Sequence, residues 1–539
     1  MSVIELPKPP IEAPPPASPG SRADARMSVG VILAWSAVAL GLAVLAMAMP
    51  INHDEGQYVA AEALAASLRP YADFVYLQTP LQLYLAAPLT QLMAGYAFVG
   101  LRVLSALMGA GTLGAVYAAQ RLMGVERGRA ALGAALMGAC YIFQFSVALA
   151  RNDALPALLE SLAMLAGLAA LRDRRRAIAL WSAAGLCLGL AASVKISYAV
   201  LLAGGGLYVL WSAWRRQLSL GALLGVSAGA ALGLSPCLFA AIPAPANFLF
   251  GVYTFAATAP MRWYRDIGLG RRLSLPMKLW ESLFHLAIGP ALGVLAGVVA
   301  LAVQRWRARD PQRRDRRFVE VLALAGLLAA LAPTPVQRQY FMPLLPPLFV
   351  LWGRIDAWDW VSLRPRLSRA VFVLTTLGAV IGAGRLLYVL CDGLARDALR
   401  GGPPALHLTA EAHWIGARLR AVQASGDIAT LSPQVALDSG YPIDPRFASG
   451  AFLYRSGDML SADELRRLHA VSPRTLAAAL DAAPPAAIVT GYERPEGPAR
   501  RNLDDDLRAY ARAHRYARQA DPAGKAELYI RPAPAKSAP

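Results

Sequence analysis

Apolar residues in this chain gather into runs of about 20, separated by short breaks rich in arginine. A helix needs about 20 such residues to span a bilayer's hydrocarbon core, so the pattern predicts a polytopic, all-α membrane region. The runs cover about 28–49, 99–120, 130–150, 153–171, 177–192, 196–213, 218–241, 285–304, 318–333, 340–353 and 370–391. The apolar stretch 80–98 is different. If it crossed fully, the basic segments Arg121–Arg129, Arg172–Arg176, Trp214–Arg216, Arg305–Arg317 and Arg354–Arg369 would all face outward. Basic loops stay on the cytoplasmic side, so 80–98 is placed in the interface or as a re-entrant segment. About eleven transmembrane helices result, with interfacial helices in the first outer loop.

This parity puts 50–98, the turns 151–153 and 193–195, the loop 242–284, the turn 334–339 and everything after Cys391 on the outer face. From about residue 400 the pattern becomes mixed, with candidate helices at 409–424, 462–470, 473–482 and 503–516. Strand-like runs at 427–431, 486–490 and 526–530 alternate with them, which predicts a small α/β domain. The expected organisation is a disordered cytoplasmic tail over 1–26, a membrane domain over 27–391, a periplasmic α/β domain over 392–531 and a flexible end over 532–539. Ala46-Met47-Ala48 also has the form of a signal-peptidase site, so a cleaved signal is the alternative reading of the first run.

Composition agrees: 56% of the 539 residues are hydrophobic and 16% charged, with a mean hydropathy of +0.41. The net charge of +18 would suit nucleic acid, but its arginines sit in the breaks between spans and set orientation, so no nucleic-acid partner is expected. Cys140, Cys187, Cys237 and Cys391 lie in or beside apolar runs without paired spacing, and six scattered His form no HExxH. No disulfide framework or zinc site is indicated. Heavy use of Ala, Gly, Leu and Arg suggests a bacterial chain, hence the inner membrane.

Candidate chemistry starts at Asn52-His53-Asp54-Glu55-Gly56-Gln57-Tyr58, directly after the first run. Adjacent acids at the mouth of a span are costly unless they face water or a partner. Helical spacing puts Asp54, Tyr58 and Glu62 on one edge of an amphipathic interfacial helix, while the plain alternative makes Asp54 an N-cap and Glu55 a first-turn acid. Asp153, in the turn Ala150–Asp153, is a second acid or a helix cap; Lys195 is a site cation or a snorkelling side chain. Arg262 and Arg265 stand among aromatics in the loop 242–284, and Arg338-x-Tyr340 heads a late run. The first pattern suits a lipid phosphate head or simple anchoring at the interface, and the second suits phosphate oxygens held by a planar fork and a hydroxyl. Asp504-Asp505-Asp506 has a DxD pattern but opens a helix and reads as capping.

Together these residues resemble the membrane glycosyltransferases of the C-type fold, in the dolichyl-phosphate-mannose protein mannosyltransferase and lipid A aminoarabinose transferase group. The resemblance covers about 28–355 and rests on Asp54-Glu55-x-x-Tyr58, Tyr71-x-Asp73, Thr79-Pro80-Leu81-x-Leu83-Tyr84, Leu101-Arg102, Ala150–Asp153, Lys195 and Arg338-x-Tyr340-x-x-Pro343-x-x-Pro346. It implies an inverting transfer of one sugar from a polyprenyl-phosphate carrier to an acceptor hydroxyl on a glycan, lipid or protein at the periplasmic face. Asp54 would be the general base, with Glu55 and Asp153 as its catalytic partners. Lys195, Arg262, Arg265, Arg338 and Tyr340 would hold the donor phosphate, and Tyr58, Gln78, Thr79 and Tyr84 the substrates. One position departs from the aminoarabinose transferases: Thr79 stands where they carry a lysine. No nucleotide or obligatory metal is expected, although the acid pair could hold a divalent ion as in the oligosaccharyl branch of the fold. The rival reading is a lipid or sugar transporter, whose site would lie near the midplane on broken helices.

Overall fold

Within hydrocarbon every backbone N–H and C=O needs an internal partner, and a helix supplies it within one segment. The computed structural model describes residues 29–308, 314–355, 365–400, 402–495, 502–522 and 524–532 and is 72% helical. The tail 1–26, parts of two basic loops and the residues after 532 lie outside the described residues. In order, the first helices are α1 (Val29–Ala48), α2 (Glu55–Leu64), α3 (Leu81–Leu92), α4 (Ala97–Leu122), α5 (Arg127–Gly138), α6 (Tyr141–Val147), α7 (Ala154–Ala170), α8 (Ala177–Val194), α9 (Ala199–Trp214) and α10 (Leu220–Ala241). There follow α11 (Pro245–Leu249), α12 (Phe255–Asp266), α13 (Leu275–Ala287), α14 (Ala291–Ala308), α15 (Arg314–Leu331), α16 (Leu345–Gly353) and α17 (Pro365–Arg400).

Among the described residues seven helices are long and apolar enough to cross a membrane, at Val29–Ala48, Ala97–Leu122, Ala154–Arg172, Ala177–Val194, Ile196–Trp214, Leu220–Ala241 and Pro365–Gly393. Two bent pairs raise the number to nine: α5 with α6, bent by 72°, and α13 with α14, bent by 103°. Two of the eleven expected spans thus take other forms. The run 318–333 belongs to α15, whose first turns carry Arg314, Asp315, Arg316, Arg317 and Glu320 and shorten its apolar length. The run 340–353 is a 3-10 turn over Arg338–Leu344 followed by the nine-residue α16. Pro343, Pro346 and Pro347 remove backbone donors there, and nine residues rise only about 14 Å. Residues of α16 are buried almost throughout, so it is core rather than lipid-facing. The twelve-residue α3 contains Pro88 and spans about 18 Å, short of a crossing.

Close packing in the bundle rests on small residues. A Cβ added at Gly185 of α8 would stand 2.1 Å from the Val226 carbonyl oxygen, and one at Gly229 of α10 would stand 2.0 Å from that of Ser182. Gly185 and Gly189 on α8 face Gly225, Gly229 and Gly233 on α10, the four-residue spacing that lets membrane helices touch backbone to backbone. Trp181 and Phe318, edge to face at 5.4 Å, fill the core beside them. Outward, Leu224, Leu232 and Phe239 of α10 and Phe372 and Val380 of α17 are exposed, as a lipid-facing surface requires.

After Pro404 the chain forms α18 (Pro404–Ala421), α19 (Ala451–Ser456), α20 (Ala462–Arg467), α21 (Leu476–Ala482) and α22 (Asp504–Ala513) around a four-stranded sheet. Its strands are β1 (Ile428–Ala429), β2 (Ala487–Thr490), β3 (Ala517–Ala520) and β4 (Glu527–Ile530), in the order β1-β2-β4-β3. β1 runs parallel to β2, and β4 is antiparallel to both of its neighbours. The sequence pattern contains no sign of β3, because Ala517-Arg518-Gln519-Ala520 is a largely exposed edge without an apolar alternation. This segment clamps the start of α4: Asp438 accepts from the N–H of Ala97 at 2.7 Å and of Phe98 at 3.4 Å, supplying the cap that α4 lacks locally.

Candidate active site

The turn after α1 is built around Arg102 of α4, which is wholly buried and reaches back to it. Its Nη1 donates to the carbonyls of Ala46 and Met49, both at 2.8 Å, and ends α1. Its Nε and Nη2 donate to the two Glu55 carboxylate oxygens at 2.8 and 2.6 Å. Glu55 also accepts from the N–H of Ala150 (2.9 Å) and of Asn52 (2.8 Å). All of its acceptor capacity is therefore committed to structure, and it ties α1, α4 and the turn before α7 together. A metal ion would find only the Asp54 carboxylate in this acid pair, and no group of three or more His, Cys, Asp or Glu among the described residues is arranged to hold one.

Asp54 points elsewhere. It occupies the N-cap position of α2 without making a side-chain cap bond; its carboxylate pairs instead with Arg151, and its side chain keeps 29% exposure. Arg151 is buried and donates Nη1 to Asn52 Oδ1 at 2.8 Å and Nε to Asp153 Oδ2 at 3.0 Å. Asp153 likewise makes no cap bond to α7 and pairs on its other oxygen with Lys195. Lys195 is buried, so it does not snorkel, and its Nζ lies 5.7 Å from the centre of the Tyr340 ring. The result is an alternating chain of charges, Asp54–Arg151–Asp153–Lys195, with Tyr340 beside it. Burial works against the ionised Asp54 carboxyl, but Arg151 outweighs it and holds the group below the usual carboxylate range.

Arg151 also stacks on Tyr58 (5.6 Å) and on Phe145 (5.4 Å). The Phe145 ring is shared with Arg338, 4.9 Å from its centre, and Arg338 lies 5.0 Å from Tyr141. Arg385 of α17 covers the same Tyr141 ring at 4.9 Å. Three guanidiniums interleaved with two aromatic rings thus lead away from Asp54, and neither Arg338 nor Arg385 has a carboxylate partner among the described residues. Arg385 lies inside a long apolar run and was not singled out from the sequence. Its meeting with Arg338 depends on where α17 packs.

The remaining candidates divide. Gln78 accepts from Asn152 Nδ2 at 3.3 Å, next to Asp153, while Thr79 is buried and donates to the Ala192 carbonyl at 3.0 Å, a structural bond. Tyr84 is 40% exposed on α3. Arg262 and Arg265 are exposed on α12, Arg262 facing Asp266 at 3.7 Å. Contrary to the expectation of a surface helix, α2 is buried on nearly every face, because the 3-10 turn Pro433–Val435 packs over it. A Cβ at Gly56 would stand 2.4 Å from Gln434 Oε1. Asp504 opens α22, but rather than capping it the carboxylate accepts the N–H groups of Gly491, Tyr492 and Glu493 at 2.8, 3.2 and 3.2 Å.

Comparison with known proteins bears on this arrangement. Residues 77–239 match the family model described as dolichyl-phosphate-mannose-protein mannosyltransferase. The crystal structure of ArnT from Cupriavidus metallidurans bound to undecaprenyl phosphate superposes with a TM-score of 0.57 at 15% identity, covering 93% of this chain and 98% of that one. At this identity the likeness shows a common fold, shared over nearly the whole length of both chains. The apo form of the same ArnT gives 0.54 at 16% identity over 93% of this chain and 97% of that one. No curated protein sequence matches. Like that fold, this chain is a multi-pass membrane protein.

Proposed function

We propose that this chain is an integral-membrane glycosyltransferase that moves one sugar from a polyprenyl-phosphate carrier to an acceptor hydroxyl at the periplasmic face, with inversion. The observation that carries the reading is the half-open Asp54 carboxylate, held by Arg151 at the mouth of the bundle beside Asp153, Lys195 and Tyr340. The match of residues 77–239 to the mannosyltransferase family model supports it. Undecaprenyl phosphate in the superposable ArnT supports a lipid-phosphate donor.

In this mechanism the acceptor oxygen attacks the anomeric carbon while the bond from that carbon to the phosphate oxygen breaks. The acceptor proton passes to Asp54, and the released polyprenyl phosphate carries the new negative charge. Lys195, Arg338 and the Tyr340 hydroxyl stabilise that charge, and Arg151 with Asp153 fixes the direction of Asp54. Glu55 contributes by locking the turn. Arg262 and Arg265, exposed on α12, are the outer candidates for the donor, and Tyr58, Gln78, Thr79 and Tyr84 border the substrate path. The segment after Pro404 lies over the mouth and takes part in choosing the acceptor.

The test compares membranes carrying wild type or Asp54→Asn, at equal expression, for transfer of labelled sugar from polyprenyl-phosphate carriers into chloroform-insoluble glycan. Transfer by the wild type that is lost in the variant supports the reading. Equal transfer in both removes Asp54 from the mechanism, and uptake or flipping of the labelled lipid without transfer turns the reading toward a transporter.

A further inference from the structure

The mouth of the site is reached by a side chain from the far end of the sequence. Glu493 Oε2 lies 3.1 Å from His53 Nε2, across 440 positions, and His53 immediately precedes Asp54. The other oxygen, Oε1, accepts from Ser432 Oγ at 2.9 Å. The backbone that carries Glu493 is held on both sides. Asp504 binds its three successive N–H groups, and Tyr492 Oη donates to Glu411 at 2.8 Å. Gly491, at φ +111°, makes the turn with the Lys525 carbonyl 2.1 Å from where a Cβ would be. The product of this bracing is one buried carboxylate aimed at one imidazole.

Bonding through Nε2 leaves Nδ1 of His53 on the side of Asp54, 4.0 Å from Oδ1. The Phe452 ring packs at 5.1 Å and fixes the tilt of the imidazole. The charged groups facing it are Glu493 from the loop after β2, Asp54 from its own turn and Arg455 from α19.

We propose that Glu493 is a positioning residue of the active centre: by holding His53 through Nε2 it directs Nδ1 at Asp54, so the C-terminal segment completes the site. The proposal rests on the reading of Asp54 as the base. An imidazolium placed between two carboxylates keeps Asp54 ionised and oriented for the incoming hydroxyl; a neutral, unanchored imidazole does neither. Burial disfavours the charged ring, yet Glu493 outweighs it and raises His53 above its ordinary range.

The experiment uses the full chain in nanodiscs with 13C at the histidine Cε1 positions, His53 being assigned from the signal lost in His53→Gln. Glu493→Gln keeps the side-chain shape and an oxygen that accepts from His53 while removing the charge. The expected result is a lower titration midpoint for His53 in Glu493→Gln. Transfer from labelled polyprenyl-phosphate sugars should lose its alkaline limb earlier, the rate at about pH 8 relative to about pH 6 falling about threefold. In a His53→Gln background Glu493→Gln should add nothing further. An unchanged midpoint overturns the proposal. So does a loss of transfer that is equal at every pH, which marks a merely structural contact. If the wild type transfers nothing, the transferase reading fails and the positioning role fails with it; the titration then decides only whether the bridge exists.

Discussion

Two neighbouring acids, Asp54 and Glu55, show how differently one sequence feature can be used. Glu55 and Arg102 form a closed pair, both wholly buried, with every acceptor and nearly every donor spoken for. Asp54 and Arg151 form an open one, with Arg151 buried and Asp54 facing out at 29% exposure. A closed pair has nothing left for a substrate, and its loss leaves an uncompensated buried charge. An open pair keeps part of the hydration of its carboxylate, so it costs less to maintain and leaves that carboxylate accessible to an incoming group. The open pair is therefore the one assigned to chemistry.

That contrast is broken most severely at the closed pair. Glu55→Ala or Arg102→Ala should destabilise the protein by about 3–5 kcal/mol; thermal unfolding in detergent should show a collapse of Tm and poor expression. At the open pair Asp54→Asn should leave Tm nearly unchanged, since the amide still accepts from Arg151, while transfer falls by about 10²–10⁴-fold. A large loss of Tm in Asp54→Asn, with none in Glu55→Ala, would exchange the two roles.

Next in size is the glycine seam. Gly229→Val would drive its side chain into the Ser182 carbonyl and should cost about 1–3 kcal/mol, read as a fall in Tm with the charge chain intact. Among the cations, Arg338→Ala should raise the donor KM more than Arg262→Ala, whose i,i+4 pair with Asp266 is exposed and worth at most about 1 kcal/mol. A reversal of that order would move the phosphate site toward α12.

A pH-dependent effect sharpens the comparison on α2 itself. Glu62 is buried, accepts one bond from Gln82 at 2.6 Å, and has a second oxygen without a partner. Burial pushes its carboxyl up to about 8. A carboxyl whose folded value exceeds its unfolded value binds more protons when folded. The wild type should therefore lose stability as pH rises from the ordinary glutamate range through about 8. Glu62→Gln, neutral throughout, should match the wild type in Tm at about pH 5 and exceed it at about pH 8.5. Equal slopes in the two proteins would mean that Glu62 is ionised when folded.

The sequence by itself determined the membrane class, seven of the spans and the short, non-crossing α3, because a single helix satisfies its own backbone and its length is read directly from an apolar run. It also led to the expectation that Asp54, Glu55, Asp153, Lys195, Arg262, Arg265 and Arg338 share one face, since alternating spans and basic loops sort the connections by side. The residue pattern did not divide Asp54 from Glu55; the family resemblance alone named Asp54 as the base and gave no physical reason. Both are acids after a span, and only the reach of Arg102 from α4 and of Arg151 from the turn before α7 gives them different fates. Nor could it place Glu493 on His53 or Arg385 beside Arg338, or bury α2 under Pro433–Val435. Those contacts join residues far apart in the chain, and they exist because of how the last segment sits on the first loop and how α17 lies on the bundle. Local periodicity carries no record of either, since both are fixed by packing between distant surfaces.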